Sequence, residues 1–73
     1  MNNNIIGNNI KERRIEQGLS QEALAKLIGV THAAISYWEN GINIPNVLDV
    51  WKIADVLNLS IDELKKLINN GRQ

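Results

Sequence analysis

Two short helical patterns joined by a tight turn constrain this chain more than any other feature. The segment from Ser20 to Gly41 reads SQEALAKLIGVTHAAISYWENG. Ser20 and Thr31 are residue types that cap helix N-termini, and Gly29 between them suits a left-handed C-terminal cap. The spacing leaves only about two turns for the first of these helices. The segment therefore predicts a helix-turn-helix, in which the second helix is held at a steep angle to the first.

Three further helical patterns accompany this unit. Helix one is predicted from near Gly7 to Gly18, helix four after Asn46, and helix five after Ser60, which forms a capping pattern with Glu63. The stripe of helix one is expected at Ile6, Ile10, Arg14 and Gln17. Those of helices two, four and five are expected at Leu24, Leu27 and Ile28, at Val47, Val50, Ile53, Ala54 and Leu57, and at Ile61, Leu64, Leu67 and Ile68. The sequence Asn69-Asn70-Gly71 is expected to close helix five.

Length and composition limit the chain to one core. With 73 residues and no cysteine, that core has to be closed by aliphatic packing rather than by disulfides or a thiolate metal site. No run alternates with period two. We therefore expect an all-α, five-helix orthogonal bundle over residues 6–70, with a flexible N-terminal arm at 1–5 and a tail at 71–73. No apolar run approaches a membrane span and the start is not a secretory signal, so we expect a cytoplasmic protein.

The third helix has two different faces. Its inner face is expected at Ala34, Ile35 and Trp38. The opposite face carries a short mixed set that could meet base edges and phosphates, namely His32, Ala33, Ser36, Tyr37 and Asn40. Net charge gives DNA binding no support, because eight lysines and arginines balance eight acidic residues.

The motifs resemble one family over residues 6–68. They are Ile10, Arg14, Gly18-Leu19-Ser20-Gln21, Leu24-Ala25, Gly29-Val30, Ile35-Ser36, Trp38-Glu39, Gly41, Pro45, Ile53-Ala54, Leu57 and Ser60-Ile61-Asp62-Glu63-Leu64. In that order they are similar to the lambda-repressor-like, Cro and C-repressor type (XRE) DNA-binding domain. The resemblance implies a bacterial or phage transcription regulator, with a dimeric repressor on a palindromic operator as our expectation. Its partners would be double-stranded DNA and a second copy of the chain.

The resemblance also implies roles for individual residues. It implies base contacts at His32, Ala33, Tyr37 and Asn43. Ser36 is also expected to contact a base, because the helical spacing places it on the same face. Phosphate contacts are implied at Gln21, Asn40 and Asn46, and Gln21 should also brace the side chain of His32. We expect a further phosphate contact at Thr31, the cap of the third helix. Two departures stand out: Ile42 and Ile44 occupy positions where the family often has lysine or arginine, and Arg13 occupies an apolar one. Arg13 is expected either to extend along the surface toward water or to reach DNA.

Arg14 lies on the apolar stripe of helix one, so its guanidinium needs a partner. The resemblance implies that this partner is Glu39 and that the pair is structural. A single histidine without cysteine argues against a metal site, and the sequence offers no catalytic constellation or phosphate-binding loop. We expect neither an enzyme nor a cofactor or small-molecule ligand.

Several alternatives stay open from the sequence. Leu48 and Trp51 lie off the main stripe of helix four and could extend the core or form a contact surface. Together with Leu67 and Ile68 they are the expected dimer surface. His32 and Tyr37 could also be solvated side chains without a role. The alternative function is a protein-interaction module, such as an antitoxin or a polymerase adaptor.

Overall fold

The computed structural model describes the backbone of residues 4–69 and the side chains of residues 6–65. The chain forms α1 (Asn4–Glu16), α2 (Gln21–Ile28), α3 (His32–Glu39), α4 (Val47–Leu57) and α5 (Ile61–Asn69). Residues 4–69 contain no strand, so the predicted all-helical class is confirmed. None of the helices in this range is long and apolar enough to span a membrane. The first helix begins at Asn4, before the expected start near Gly7, so residues 4 and 5 of the expected flexible arm are helical instead. Residues 1–3 of that arm and the tail at 71–73 lie outside the described residues.

The helix ends follow the local chemistry of the sequence. Ser20, Thr31 and Asn46 each accept a hydrogen bond from a backbone N–H three residues on, at 3.0, 3.1 and 2.8 Å. Gly29 ends α2 with φ 89°, in the left-handed region that favours glycine. Ser60 and Glu63 form the reciprocal capping box before α5, because each side chain accepts from the other residue's backbone N–H. These four predicted N-caps are therefore confirmed.

The core lies where the first four helices meet. Five side chains are fully buried there: Ile10, Leu24, Ile35, Ile53 and Leu57. Leu27, Val47 and Ile61 were expected to face inward and are exposed instead, so that part of the pattern was wrong. Val47 and Ile61 are the first residues of their helices, at the edge of the packed region. The buried face of α2 runs from Leu24 through Ile28 to Ala25 around the helix. Leu27 lies beyond Leu24, outside this face.

Arg13 neither extends into solvent nor projects free toward a ligand, and both expectations for it were wrong. Its Nε donates to the Leu57 carbonyl at 3.0 Å and its Nη2 to the Asn58 carbonyl at 2.9 Å. Its Nη1 lies 2.9 Å from Oε2 of Glu63. The C-terminal carbonyls of α4 lack partners within the helix. The guanidinium of Arg13, on α1, donates hydrogen bonds to two carbonyls at the end of α4. Through Glu63 it also joins α1 to the start of α5.

Gly7 marks the closest approach between α1 and α3. A Cβ at this position would lie 2.2 Å from the Trp38 carbonyl oxygen and 2.9 Å from that of Glu39. Both atoms belong to backbone, which cannot move aside as the end of a flexible side chain can. Glycine at position 7 therefore allows α1 to lie directly against the C-terminal turn of α3.

We predict that Gly7→Ala destabilises the protein by about 1–3 kcal/mol, although alanine is the better helix former. The added methyl group would force α1 away from α3. Urea denaturation followed by circular dichroism measures the change, with Asn8→Ala on the exposed side of α1 as the matched control. A Gly7→Ala protein as stable as the control would show that the two helices do not meet this closely.

Candidate nucleic-acid interface

A buried ion pair joins α1 to the helix-turn-helix. Arg14 Nε lies 2.6 Å from Glu39 Oε2, and Arg14 Nη2 lies 3.0 Å from Glu39 Oε1. The two side chains are only 10% and 2% exposed. Arg14 Nη1 also donates to the Leu19 carbonyl at 2.7 Å. The pair that the resemblance implied is therefore present as a two-pronged contact joining α1, the loop before α2, and the end of α3.

Gln21 extends this contact to the protein surface. Its Nε2 donates to Glu39 Oε1 at 2.9 Å, and its Oε1 lies 2.8 Å from Nε2 of His32. The brace between Gln21 and His32 implied by the resemblance is thus present. The link from Gln21 back to Glu39 was not predicted, because the two residues are on different helices and no local pattern connects them. One chain of hydrogen bonds now runs from Arg14 to the first residue of α3.

The two faces of α3 differ as the periodicity predicted. Ile35 is completely buried and Trp38 nearly so, at 0% and 6% exposure. On the opposite side, Tyr37 is 44% exposed, His32, Ala33 and Asn40 are exposed, and Ser36 is half-buried. The structure therefore brings the expected base-reading residues of α3 together on one accessible surface. Asn43, in the loop after α3, is exposed as well.

The expected phosphate contacts lie at helix starts and ends. Thr31 Oγ1 and Asn46 Oδ1 accept from backbone N–H groups, so the Thr31 hydroxyl proton and the Asn46 amide group are the donors that each could offer a phosphate. Asn40 Nδ2 instead donates to the Ser36 carbonyl at 2.8 Å. Gln21 uses both ends of its amide within the protein. A DNA contact by Gln21 or Asn40 would therefore share or replace a hydrogen bond that the side chain already makes within the protein.

The outer face of α3 carries no lysine or arginine. The helix reads HAAISYWE, and its one acidic residue, Glu39, is buried against Arg14. The electrostatic character of this surface is therefore set by neutral donors and acceptors together with the histidine. Such a face suits hydrogen bonding and close van der Waals contact better than charge neutralisation.

A second exposed surface is apolar. We call Ile42, Ile44, Leu48 and Trp51 the apolar surface; all four side chains are more than half exposed, with Leu48 at 64% and Trp51 at 58%. Leu48 and Trp51 therefore do not extend the core, which leaves the contact-surface interpretation. The side chains of Leu67 and Ile68, the other part of the expected dimer surface, lie outside the described residues.

Comparison with known proteins gives a consistent result. A family model described as helix-turn-helix, HTH_3, matches residues 10–64. Repressor protein C2 of Salmonella phage P22 is 36% identical over 66 residues, covering 90% of this chain and 31% of that protein. The uncharacterized HTH-type transcriptional regulator YazB of Bacillus subtilis is 37% identical over 60 residues, covering 82% of this chain and 87% of YazB.

One solved structure is similar to this chain in both fold and sequence. The restriction-modification controller protein C.AhdI from Aeromonas hydrophila superposes with a TM-score of 0.75 at 32% identity, covering 81% of this chain and 89% of that one. The chain thus spans less than a third of the phage repressor but most of the two smaller relatives. These similarities cover the whole helix-turn-helix.

We predict that Arg14→Ala lowers the free energy of unfolding by about 3–5 kcal/mol, because it leaves the Glu39 carboxylate buried without its cation. In a domain of this size the melting temperature should fall by more than about 12 °C. Differential scanning calorimetry measures the change, with Lys11→Ala, an exposed cation of the same helix, as the control. Equal melting temperatures for the two variants would contradict a structural role for the pair.

Proposed function

Because this chain belongs to the helix-turn-helix family HTH_3, we propose that it is a transcriptional regulator that binds a specific sequence of double-stranded DNA. The observation that carries the proposal is the division of α3 into two faces. Ile35 and Trp38 fix the helix to the core, while His32, Ala33 and Tyr37 remain accessible. A helix held in this way fits the major groove, where each base pair presents a distinct set of donors and acceptors.

The proposed base contacts are divided by reach. Ala33 is small enough to let α3 approach the base edges, and its methyl group could touch a thymine methyl. His32, Ser36 and Tyr37 offer polar groups from the same face. Asn43 would read a base from the loop after α3, since its side chain is exposed there.

The proposed phosphate contacts are made mainly by neutral groups. Thr31 and Asn46 cap α3 and α4, so a phosphate near them would meet both a side-chain donor and the positive end of a helix dipole. Gln21 and Asn40 would contribute further amide contacts. The family positions occupied by Ile42 and Ile44 supply no cation, so we expect only a modest electrostatic contribution to affinity.

We further propose that two copies of the chain bind a palindromic operator. Each α3 would enter one of two successive major grooves, roughly 34 Å apart. The apolar surface supports this, because Leu48 and Trp51 are exposed one helical turn apart on α4, and neighbouring exposed apolar side chains can mark an interaction site. Leu48 and Trp51, together with Leu67 and Ile68, would form the contact between the copies. Such a protein would act in the cytoplasm, by binding rather than by catalysis.

The second candidate, a module that binds another protein, has the same apolar surface in its favour. An antitoxin or a polymerase adaptor could use Ile42, Ile44, Leu48 and Trp51 to hold its partner. The two functions need different surfaces, so substitutions on α3 and on the apolar surface separate them. Both functions could also belong to one protein.

Ala33→Glu is expected to weaken DNA binding by about 30- to 1000-fold, because like charges brought together at an interface cost several kcal/mol. Ala33 is exposed, so the fold should be unaffected. The operator would be selected from a random pool with the unchanged protein, and affinity measured by fluorescence anisotropy. Asn8→Glu, an exposed position on α1, is the control for net charge. Equal losses in the two variants would show that α3 does not enter the groove.

Leu48→Glu with Trp51→Glu is expected to convert the dimer to a monomer without lowering helix content. Two carboxylates would have to be buried for the apolar surfaces to meet. Sedimentation equilibrium gives the mass, and Leu27→Glu, another exposed leucine outside the apolar surface, is the matched control. A doubly substituted protein that still sediments as a dimer would place the contact between copies elsewhere.

A further inference from the structure

We infer that the buried Arg14–Glu39 pair fixes which ring nitrogen of His32 carries the hydrogen. Neutral His32 would have its hydrogen on Nε2 and would present Nδ1 as an acceptor. Such an acceptor recognises an amino group in the major groove, on adenine N6 or cytosine N4. The assignment of the hydrogen concerns the free protein, whereas the identity of the base rests on the proposed function.

The guanidinium of Arg14 can only donate hydrogen bonds. A guanidinium stays protonated in proteins and has no acceptor atom. Arg14 donates to both oxygens of Glu39, at 2.6 and 3.0 Å. Both carboxylate oxygens therefore act as acceptors, and any further partner of Glu39 at these oxygens must donate.

That further partner is the amide of Gln21. The oxygen and nitrogen of an amide are distinguished by the hydrogen-bond network around them. Because Glu39 Oε1 accepts, the Gln21 atom 2.9 Å from it must be the NH2 group. The other end of the amide, Oε1, consequently faces His32.

The last link determines the imidazole. Gln21 Oε1 is an acceptor and lies 2.8 Å from His32 Nε2, so this nitrogen must carry a hydrogen. In a neutral imidazole only one nitrogen is protonated, which makes Nδ1 the acceptor. Nδ1 is then the only ring nitrogen that can contact DNA without breaking the bond to Gln21.

Protonation of His32 would reverse the hydrogen-bonding role of Nδ1. Glu22 and Lys26 of α2 are the charged residues that line the same depression as His32, and the Arg14–Glu39 pair is linked to it through Gln21. Tyr37 is the other titratable residue on the exposed face of α3. With both nitrogens protonated, His32 could only donate, and it would then favour guanine N7 or O6 over an amino group.

The first experiment needs no DNA. His32 is the only histidine in the chain, so nitrogen-15 NMR of the ring is unambiguous. At pH 8 we expect the hydrogen on Nε2 and an observable Nε2–H resonance. Gln21→Leu should remove this resonance through rapid exchange, whereas Glu22→Gln, which changes a neighbouring charge but leaves the chain of bonds intact, should keep it. A hydrogen on Nδ1, or an Nε2–H resonance unaffected by Gln21→Leu, would overturn the inference.

The second experiment identifies the base. Selection from a random pool is carried out at pH 8 with the unchanged protein, with His32→Ala, and with His32→Arg, whose side chain can only donate. The position whose preference His32→Ala removes is the one that His32 reads. There we expect the unchanged protein to favour an adenine or cytosine by about fivefold, the factor that one net hydrogen bond supplies, and His32→Arg to favour guanine.

The outcomes separate the two proposals. If affinity at pH 8 is unchanged when the amino group of the preferred base is removed, by purine in place of adenine or 2-pyrimidinone in place of cytosine, His32 does not present an acceptor and the inference is wrong. If the unchanged protein enriches no sequence at all, the proposed function fails, and the NMR result alone decides the state of His32.

Discussion

The contact between Arg14 and Glu39 is the interaction on which the rest of the structure depends. The two side chains are only 10% and 2% exposed, so both charges have lost most of their water. Only the paired geometry and the added bonds to Leu19 and Gln21 offset that loss. An apolar pair of similar volume could fill the same space. It could not, however, position a polar group on α2 relative to α3. The ion pair therefore does what aliphatic packing cannot: it gives the surface amide a defined direction.

Much of the fold could be predicted because it is encoded locally. Ser20, Thr31 and Asn46 cap helices through bonds to residues three positions away, so each cap can be found in a short window of sequence. Arg13 shows the opposite case. Its hydrogen-bond partners are 44, 45 and 50 residues distant, and only the assembled bundle brings them within reach. Periodicity also overestimated burial at Val47, because an apolar residue in the first turn need not face a neighbouring helix.

The exposed face of the candidate site could be predicted from the sequence more fully than the hydrogen bonds of its side chains. The outward face of α3 followed from residue spacing alone, since Ile35 and Trp38 define the side that must be buried. The bond between Gln21 and His32 came only from resemblance to a family, because two polar residues on separate helices carry no local signal. The hydrogen bond from Gln21 to Glu39 is evident only in the folded structure, where α2 and the end of α3 meet. Sequence patterns thus located the surface but not the bonds that orient its side chains.

The separation of α3 into a packed face and an accessible face has a consequence for how such a protein can diverge. If Ala33 contacts a base as proposed, many replacements there would change the preferred DNA sequence and leave the scaffold intact, because its side chain makes no hydrogen bond. His32 is different, because replacing it removes a partner from Gln21 and disturbs an amide already committed to Glu39. New operators should therefore be acquired first through changes at Ala33. Changes at His32 would have to be accompanied by a compensating change at Gln21.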